Sequence, residues 1–192
     1  MISNHKIVVT RDPRSYKFKK DDSKDDSWDD DSNAQNNKVD LFQLMEHGVI
    51  LFEARCQSVA NMPGARHTDT LVPGSGWMRW NVPKRDFTRN IHGLWGFVDQ
   101  DGQFVTSDSI TPIPTKDGAP ADWLRSLVHS DLKKDGSGRT RFAWSASCIV
   151  LEDPDLVKLN TIGFHLGFTD GDDIPLTIVE GETNLEPSEE IK

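Results

Sequence analysis

The chain has 192 residues, of which 35% are hydrophobic and 28% charged, and its formal net charge is −9. This length suits one domain with tails, or two small domains, and supplies enough apolar residues for one core. The negative charge disfavours a nucleic acid or an anionic membrane as partner, because phosphate binding needs a basic face. No apolar run approaches 18 residues, so we expect no membrane span.

Residues 1–38 are predicted to form an N-terminal arm. Its segment 7–10 (IVVT) favours a short strand that docks on the body of the protein. Residues 19–38 are nearly all charged or polar, so they bury too little apolar area to fold and predict a disordered acidic linker. Asp29 to Asp31 could ligate Ca²⁺, but the spacing of a calcium loop is absent and a solvated linker is favoured.

Residues 39–181 are predicted to form one mostly β domain, of β-rich α+β class with one or two short helices. The apolar residues of 39–45, followed by Gly48, predict a first helix, and residues 120–130 a second. Asp101-Gly102 predicts a hairpin turn. Patterns typical of strands occupy residues 49–59, 76–83, 92–99, 102–107, 142–151 and 174–179. Residues 182–192 are predicted to be a frayed acidic tail.

The stretch 128–150, VHSDLKKDGSGRTRFAWSASCIV, holds the strongest candidate for chemistry. Cysteine becomes a nucleophile when a neighbouring histidine and backbone N–H groups stabilise its thiolate. His129 lies 19 positions before Cys148, and both side chains can meet if their strands end at one sheet edge. Ser145 and Ser147 are small enough to admit a substrate, and Trp144 either walls the substrate groove or packs in the core. The competing interpretation of Cys148 is a buried structural thiol, which we also expect for Cys56.

These residues resemble the L,D-transpeptidases, also called the YkuD-like family. His129-Ser130 matches the opening of the family motif, and Ser145–Cys148 followed by Ile149 matches its close. The resemblance implies a β-sandwich of mixed sheets, with Cys148 as nucleophile, His129 as base and Ser130 orienting His129. It also implies acyl transfer on peptidoglycan stem peptides, by transpeptidation or by carboxypeptidase or endopeptidase cleavage, with no cofactor. The family works outside the cytoplasm, but residues 1–20 lack the apolar segment of a secretion signal, so localisation and oligomeric state stay open.

Three positions depart from the family motif. Ala146 and Ser147 stand where the family has histidine and glycine, and Val150 stands where asparagine or arginine is common. These departures leave open a non-catalytic alternative, a β-rich structural or wall-binding module of a phage or a cell envelope.

Two further histidines, His92 in Ile-His-Gly and His67 near Asp69, are candidates to line the same cleft as substrate-binding groups. Their alternative role is hydrogen bonding inside the fold. A third functional hypothesis, a zinc peptidase, would use His67, Asp69 and His92 with Cys148 or His129 as ligands. The tight H-x-H or H-E-x-x-H spacing of such sites is absent, so we expect no metal.

Overall fold

The structure, a computed structural model, describes residues 4–18, 39–58, 73–80, 95–98, 127–130 and 149–186. Within these ranges lie one α-helix, α1 (Asp153–His165), and a short 3₁₀-helix (Pro13–Phe18). They also contain eight strands: β1 (His5–Arg11), β2 (Asp40–Glu46), β3 (Val49–Gln57), β4 (Gly74–Arg79), β5 (Trp95–Val98), β6 (Leu127–Ser130), β7 (Ile149–Leu151) and β8 (Asp173–Glu180).

The described strands pair in a ring, in the order β1-β2-β3-β7-β6-β5-β4-β8, and close a barrel. β1 pairs with β8 in parallel, and β6 pairs with β7 in parallel. The other neighbours are antiparallel. The predicted class, mostly β with mixed pairing and a helix, is confirmed. The resemblance implied a sandwich, but the described strands form one closed sheet because β8 pairs with β1 on one side and β4 on the other.

Alternate residues of the long strands point into the barrel, since side chains of a strand alternate between its two faces. In β1 and β8 the buried residues recur at every second position, at Ile7 and Val9 and again at Ile174, Leu176 and Ile178. This alternation confirms two predicted strands, the docking strand 7–10 and the closing strand 174–179. β1 therefore belongs to the sheet, while residues 19–38, the predicted linker, lie outside the described residues.

The predicted helix in residues 39–48 is wrong, because Asp40–Glu46 is a strand. Asp40, Phe42 and Leu44 are buried in alternation with partly exposed neighbours. Apolar residues occur on both faces of this strand, and their spacing imitates a helical pattern. The strand turns into β3 through His47-Gly48, whose φ angles of 49° and 83° suit the two-residue type I′ hairpin that matches strand twist.

The second predicted helix, residues 120–130, is wrong over its described part, because Leu127–Ser130 is strand β6. Pairing with β5 on one side and with β7 on the other outweighs the helical pattern of this segment. The predicted strands are confirmed where they are described, over 49–57, 76–79, 95–98 and 149–151. Residues 102–107 and the Asp101-Gly102 turn lie outside the described residues.

Helix α1 was not predicted, although its sequence carries clear signals. Pro154 lies in its first turn, where a missing N–H costs nothing. Leu156 and Leu159 join the barrel core with zero exposure. A Schellman motif follows the helix: Gly167 has a φ of 80°, and the Phe168 N–H donates to the Gly163 carbonyl at 2.9 Å.

The end of α1 is fixed by an aromatic contact. Trp80 packs directly on Gly163, where a Cβ would lie 2.2 Å from the indole Cη2. Phe168 meets the same indole edge to face, with ring centroids 5.3 Å apart. Gly163 is therefore required for the close approach of helix and indole. No helix in the described parts of the chain is long and apolar enough to cross a membrane.

Candidate active site

The predicted catalytic histidine lies on a strand that neighbours the start of β7. His129 is half-buried on β6. β6 and β7 run parallel, with Val128 opposite Ile149, His129 opposite Val150 and Ser130 opposite Leu151. Ile149 directly follows Cys148 in the sequence. The strand bearing His129 therefore lies beside the strand that follows the cysteine.

Other predicted site residues lie outside the described residues. They are Cys148, Ser145, Ser147, Trp144, His92 and His67, and of Ser130 only the backbone is described. The structure thus brings the backbones of His129 and Ser130 beside β7. It leaves the roles assigned to these side chains as predictions.

Two rows of paired residues cross β3, β7 and β6 at this place. One row joins Gln57, Val150 and His129, and the next row joins Cys56, Leu151 and Ser130. Paired residues share a face of the sheet, and successive residues alternate. Because Cys56 and Leu151 belong to the barrel core, the His129 row faces outward. Val150 and Gln57 on this outer face are themselves buried, at 0% and 1% exposure.

Cys56 is a core thiol, as the sequence predicted. Its side chain has zero exposure. Burial, aided by the nearby Asp40 carboxylate, raises the pKa of the Cys56 thiol well above its ordinary value. A thiol held neutral is a poor nucleophile, so Cys56 provides an unreactive internal reference for Cys148.

A buried polar cluster at the same end of the barrel was not predicted. We define the Asp40 cluster as Arg11, Asp12, Ser15, Asp40 and Ser58, all with 0% or 1% exposure. It lies where β1 and β3 end and where β2 and β7 begin. Polar residues flank these strands in the sequence, but no spacing signal shows that side chains 18 to 47 positions apart bind one another.

Asp40 is the acceptor at the centre of this cluster. Its Oδ1 accepts the Asp12 N–H at 2.9 Å and the Ser15 hydroxyl. Its Oδ2 accepts the N–H of Ser58 at 2.9 Å and the Ser58 hydroxyl at 2.7 Å. Burial nevertheless raises the pKa of Asp40, because desolvation outweighs the four hydrogen bonds that favour the carboxylate.

Arg11 binds the same serine from the other side. Its Nε donates to the Ser58 hydroxyl at 2.9 Å, and its Nη2 donates to the Ser58 carbonyl at 3.0 Å. Ser58 is therefore held at its N–H, hydroxyl and carbonyl groups by two buried charged residues. Such a satisfied network fixes backbone position, whereas an unpaired buried charge would cost several kcal/mol.

Asp12 ties the C-terminal segment to the same barrel end. Its carboxylate accepts two hydrogen bonds from the Arg14 guanidinium, at 2.9 and 2.8 Å, and the Thr183 N–H at 3.1 Å. The Arg14 hydrogen bond holds the pKa of Asp12 well below its usual range. Arg14 also donates to the Leu185 carbonyl at 2.8 Å. Residues 181–186 are thereby fastened across the ends of β1 and β2.

The described residues contain no group of three or more His, Cys, Asp or Glu side chains arranged to hold a metal ion. Of the hypothetical zinc ligands, only His129 is described. His67, Asp69, His92 and Cys148 lie outside these ranges, so the zinc hypothesis stays untested.

Comparison with known proteins finds a relative of the chain. The chain is 30% identical over 178 residues to a protein of Treponema pallidum (strain Nichols) described as uncharacterized, covering 88% of this chain and 77% of the relative. The chain belongs to the family of this treponemal protein. No protein-family model matches the chain, and no solved structure matches it.

Proposed function

We propose that the protein is a cysteine-nucleophile acyltransferase or peptidase acting on peptidoglycan stem peptides. Cys148 is the nucleophile, His129 the base and Ser130 the residue that orients His129. The observation that carries the proposal is the parallel pairing of β6 with β7, which sets His129 opposite Val150. The motif resemblance supplies the substrate class.

The register supports this pairing of roles. Val150 lies two positions after Cys148, and residues two apart in a strand share a face. A strand continued by one residue before Ile149 would put Cys148 on the face of His129. Proton transfer from thiol to imidazole then needs only a short reach between neighbouring strands about 4.8 Å apart.

The proposed reaction has two steps. His129 takes the thiol proton of Cys148, and the sulfur attacks a peptide carbonyl while backbone N–H groups stabilise the oxyanion. Collapse of the tetrahedral intermediate breaks the C–N bond, and the leaving amine takes the proton from His129. An amine acceptor or a water molecule then attacks the thioester, releases Cys148 and gives transpeptidation or hydrolysis.

The test is intact-mass spectrometry after incubation with a carbapenem, a class that acylates the cysteine of the family that the motif resembles. We expect one adduct on the wild type, none on Cys148→Ala and an unchanged adduct on the control Cys56→Ala. His129→Ala should slow acylation by about a hundredfold or more, the usual contribution of a general base. A wild type without an adduct, or an adduct that persists in Cys148→Ala, would contradict the proposal.

A second candidate function is favoured by Val150. Its side chain is fully buried, so the position after the motif offers no polar group to a substrate. This suits the non-catalytic module of a phage or cell envelope. Such a module would sediment with purified peptidoglycan sacculi and form no carbapenem adduct, whereas the enzyme would form the adduct.

A further inference from the structure

The hydrogen bonds of Asp40 are divided between two structural elements. Ser58, directly after β3, donates both its N–H and its hydroxyl to Oδ2. Ser15, in the 3₁₀-helix, donates its hydroxyl to Oδ1. Both serines are 1% exposed. Asp40 therefore holds the end of β3 through one oxygen and the 3₁₀-helix through the other.

The end of β3 is also the support of β7. Two residue pairs join these strands in the described chain, Cys56 with Leu151 and Gln57 with Val150. Ser58 immediately follows the second pair. A ladder this short has little pairing of its own to resist opening, so its order depends on how firmly Ser58 is anchored.

The position of β7 in turn affects the geometry of the candidate site. Val150 lies between Gln57 on one side and His129 on the other. Any displacement of the β3 end moves Val150 relative to His129, and Cys148 is two positions from Val150. Small displacements of reacting groups cause large losses in rate.

We propose that Asp40 is a positioning residue that holds β7 against β3 through Ser58 and thereby fixes Val150, two positions after the proposed nucleophile Cys148, opposite His129. The inference rests on the proposed function for its effect on Cys148. Its structural part, the ordering of β7 by Asp40, can be measured without any reaction.

Two serine variants provide a matched test. Ser58→Ala and Ser15→Ala each remove one buried hydroxyl donor to Asp40, but only Ser58 adjoins the β3–β7 ladder. We would measure amide hydrogen exchange at Val150 and Leu151 and the carbapenem acylation rate of Cys148. Ser58→Ala removes two buried hydrogen bonds, the one its hydroxyl donates to Asp40 and the one it accepts from Arg11, so it should speed exchange and slow acylation by about tenfold or more. Ser15→Ala should change both by less than about threefold.

A third variant tests the carboxylate itself. Asp40→Asn keeps the shape but turns one acceptor oxygen into a donor facing other donors, so it should exceed the effect of Ser58→Ala on both measurements. If it does not fold, the serine pair decides the question. Equal effects of the two serine variants would mean a general structural role and would overturn the inference.

The two proposals fail in different ways. A wild type that forms no adduct contradicts the proposed function, and the exchange comparison still decides whether Asp40 orders β7. A wild type that is acylated, together with a Ser58→Ala variant acylated at the same rate, overturns the positioning role alone.

Discussion

The barrel consists of two arcs that differ in the length of their pairing. The long arc comprises β4, β8, β1, β2 and β3, whose described ladders contain five to seven residue pairs. The short arc comprises β5, β6 and β7, whose ladders to each other and to the long arc contain two or three pairs within the described residues. The predicted catalytic histidine lies in the short arc. The long arc thus acts as the scaffold, and among the described ladders the one that joins β7 to it has only two residue pairs.

This division explains why the Asp40 cluster lies where it does. A short ladder opens more readily than a long one, yet a catalytic site needs fixed geometry. The cluster joins the ends of β1, β2 and β3, all in the long arc, next to the junction with β7. We propose that it extends the rigidity of the scaffold to β7.

The largest expected effect is on the free energy of unfolding, and it should differ between a leucine of the long arc and a leucine of the short arc. Leu44 in β2 and Leu151 in β7 both have zero exposure and both belong to the core. Leu44→Ala should lower the free energy of unfolding by about 3–5 kcal/mol, because the long ladders around it prevent collapse of the cavity. Leu151→Ala should cost about 2–3 kcal/mol, because its short ladders allow relaxation.

Denaturant unfolding of both variants beside the wild type measures this difference. Equal losses, or a larger loss for Leu151→Ala, would show that the short arc is at least as rigid as the long arc. An unchanged m-value in both variants would confirm that they lose stability within one cooperative unit.

The long arc was also the part of the fold that the sequence predicted best. In β1 and β8 the buried apolar residues stand at alternate positions, and this pattern comes from burial of one face. β3 shows the alternation only from Phe52 to Cys56, because Val49 and Ile50 are apolar but exposed. β2 was predicted wrongly because Leu41 and Met45 on its outer face are also apolar, so the spacing of its apolar residues resembled that of a helix. α1 was overlooked although Pro154 and Gly167 mark its two ends.

The candidate site was predictable only in part. The motif selected His129 and Cys148 as candidates from local sequence alone, but the segment of His129 was predicted as a helix and is strand β6. The parallel pairing of β6 with β7 joins residues 20 or more positions apart, which no local pattern determines. Nothing in the local sequence distinguishes Asp40 from other polar residues. Its contacts with Ser15 and Ser58 form only when the sheet closes.

The second prediction concerns Asp12, which fastens the C-terminal segment to the long arc. Asp12→Asn removes charge-assisted hydrogen bonds from Arg14 and should cost about 1.5–3 kcal/mol near neutral pH. Because the fold lowers the pKa of Asp12 below its ordinary 3.8, its stabilisation is present above that value and is lost as pH falls below it. The stability gap between wild type and Asp12→Asn should therefore shrink as pH falls from about 5 to about 2.

Thermal or urea unfolding across this range provides the measurement. The pH dependence of stability that Asp40 causes has the opposite sign. Because burial raises the pKa of Asp40, its contribution to stability is lost as pH rises through the pKa of the folded state. Asp40 is retained in both proteins, so the difference between them isolates Asp12. A gap that stays constant or widens in acid would contradict the role given to the Asp12–Arg14 pair.

The smallest expected effect lies at the other end of the long arc, in the ion pair between β4 and β8. Arg79 Nε and Nη2 donate to the two carboxylate oxygens of Asp173 at 2.9 and 3.0 Å. The pKa of Arg79 is raised by this hydrogen bond. The two side chains are 26% and 34% exposed, however, so water and salt screen the attraction.

Arg79→Lys keeps the charge and removes the planar two-point contact. It should lower the free energy of unfolding by less than about 1 kcal/mol, and the difference should shrink in about 1 M salt. Asp173→Asn is the matched control, since it removes the partner charge at the same position. A loss above about 2 kcal/mol would mean that this pair is needed to hold β4 on the scaffold. The long arc would then depend on side-chain contacts as the β3–β7 junction is proposed to do, and ladder length alone would not explain the difference between the arcs.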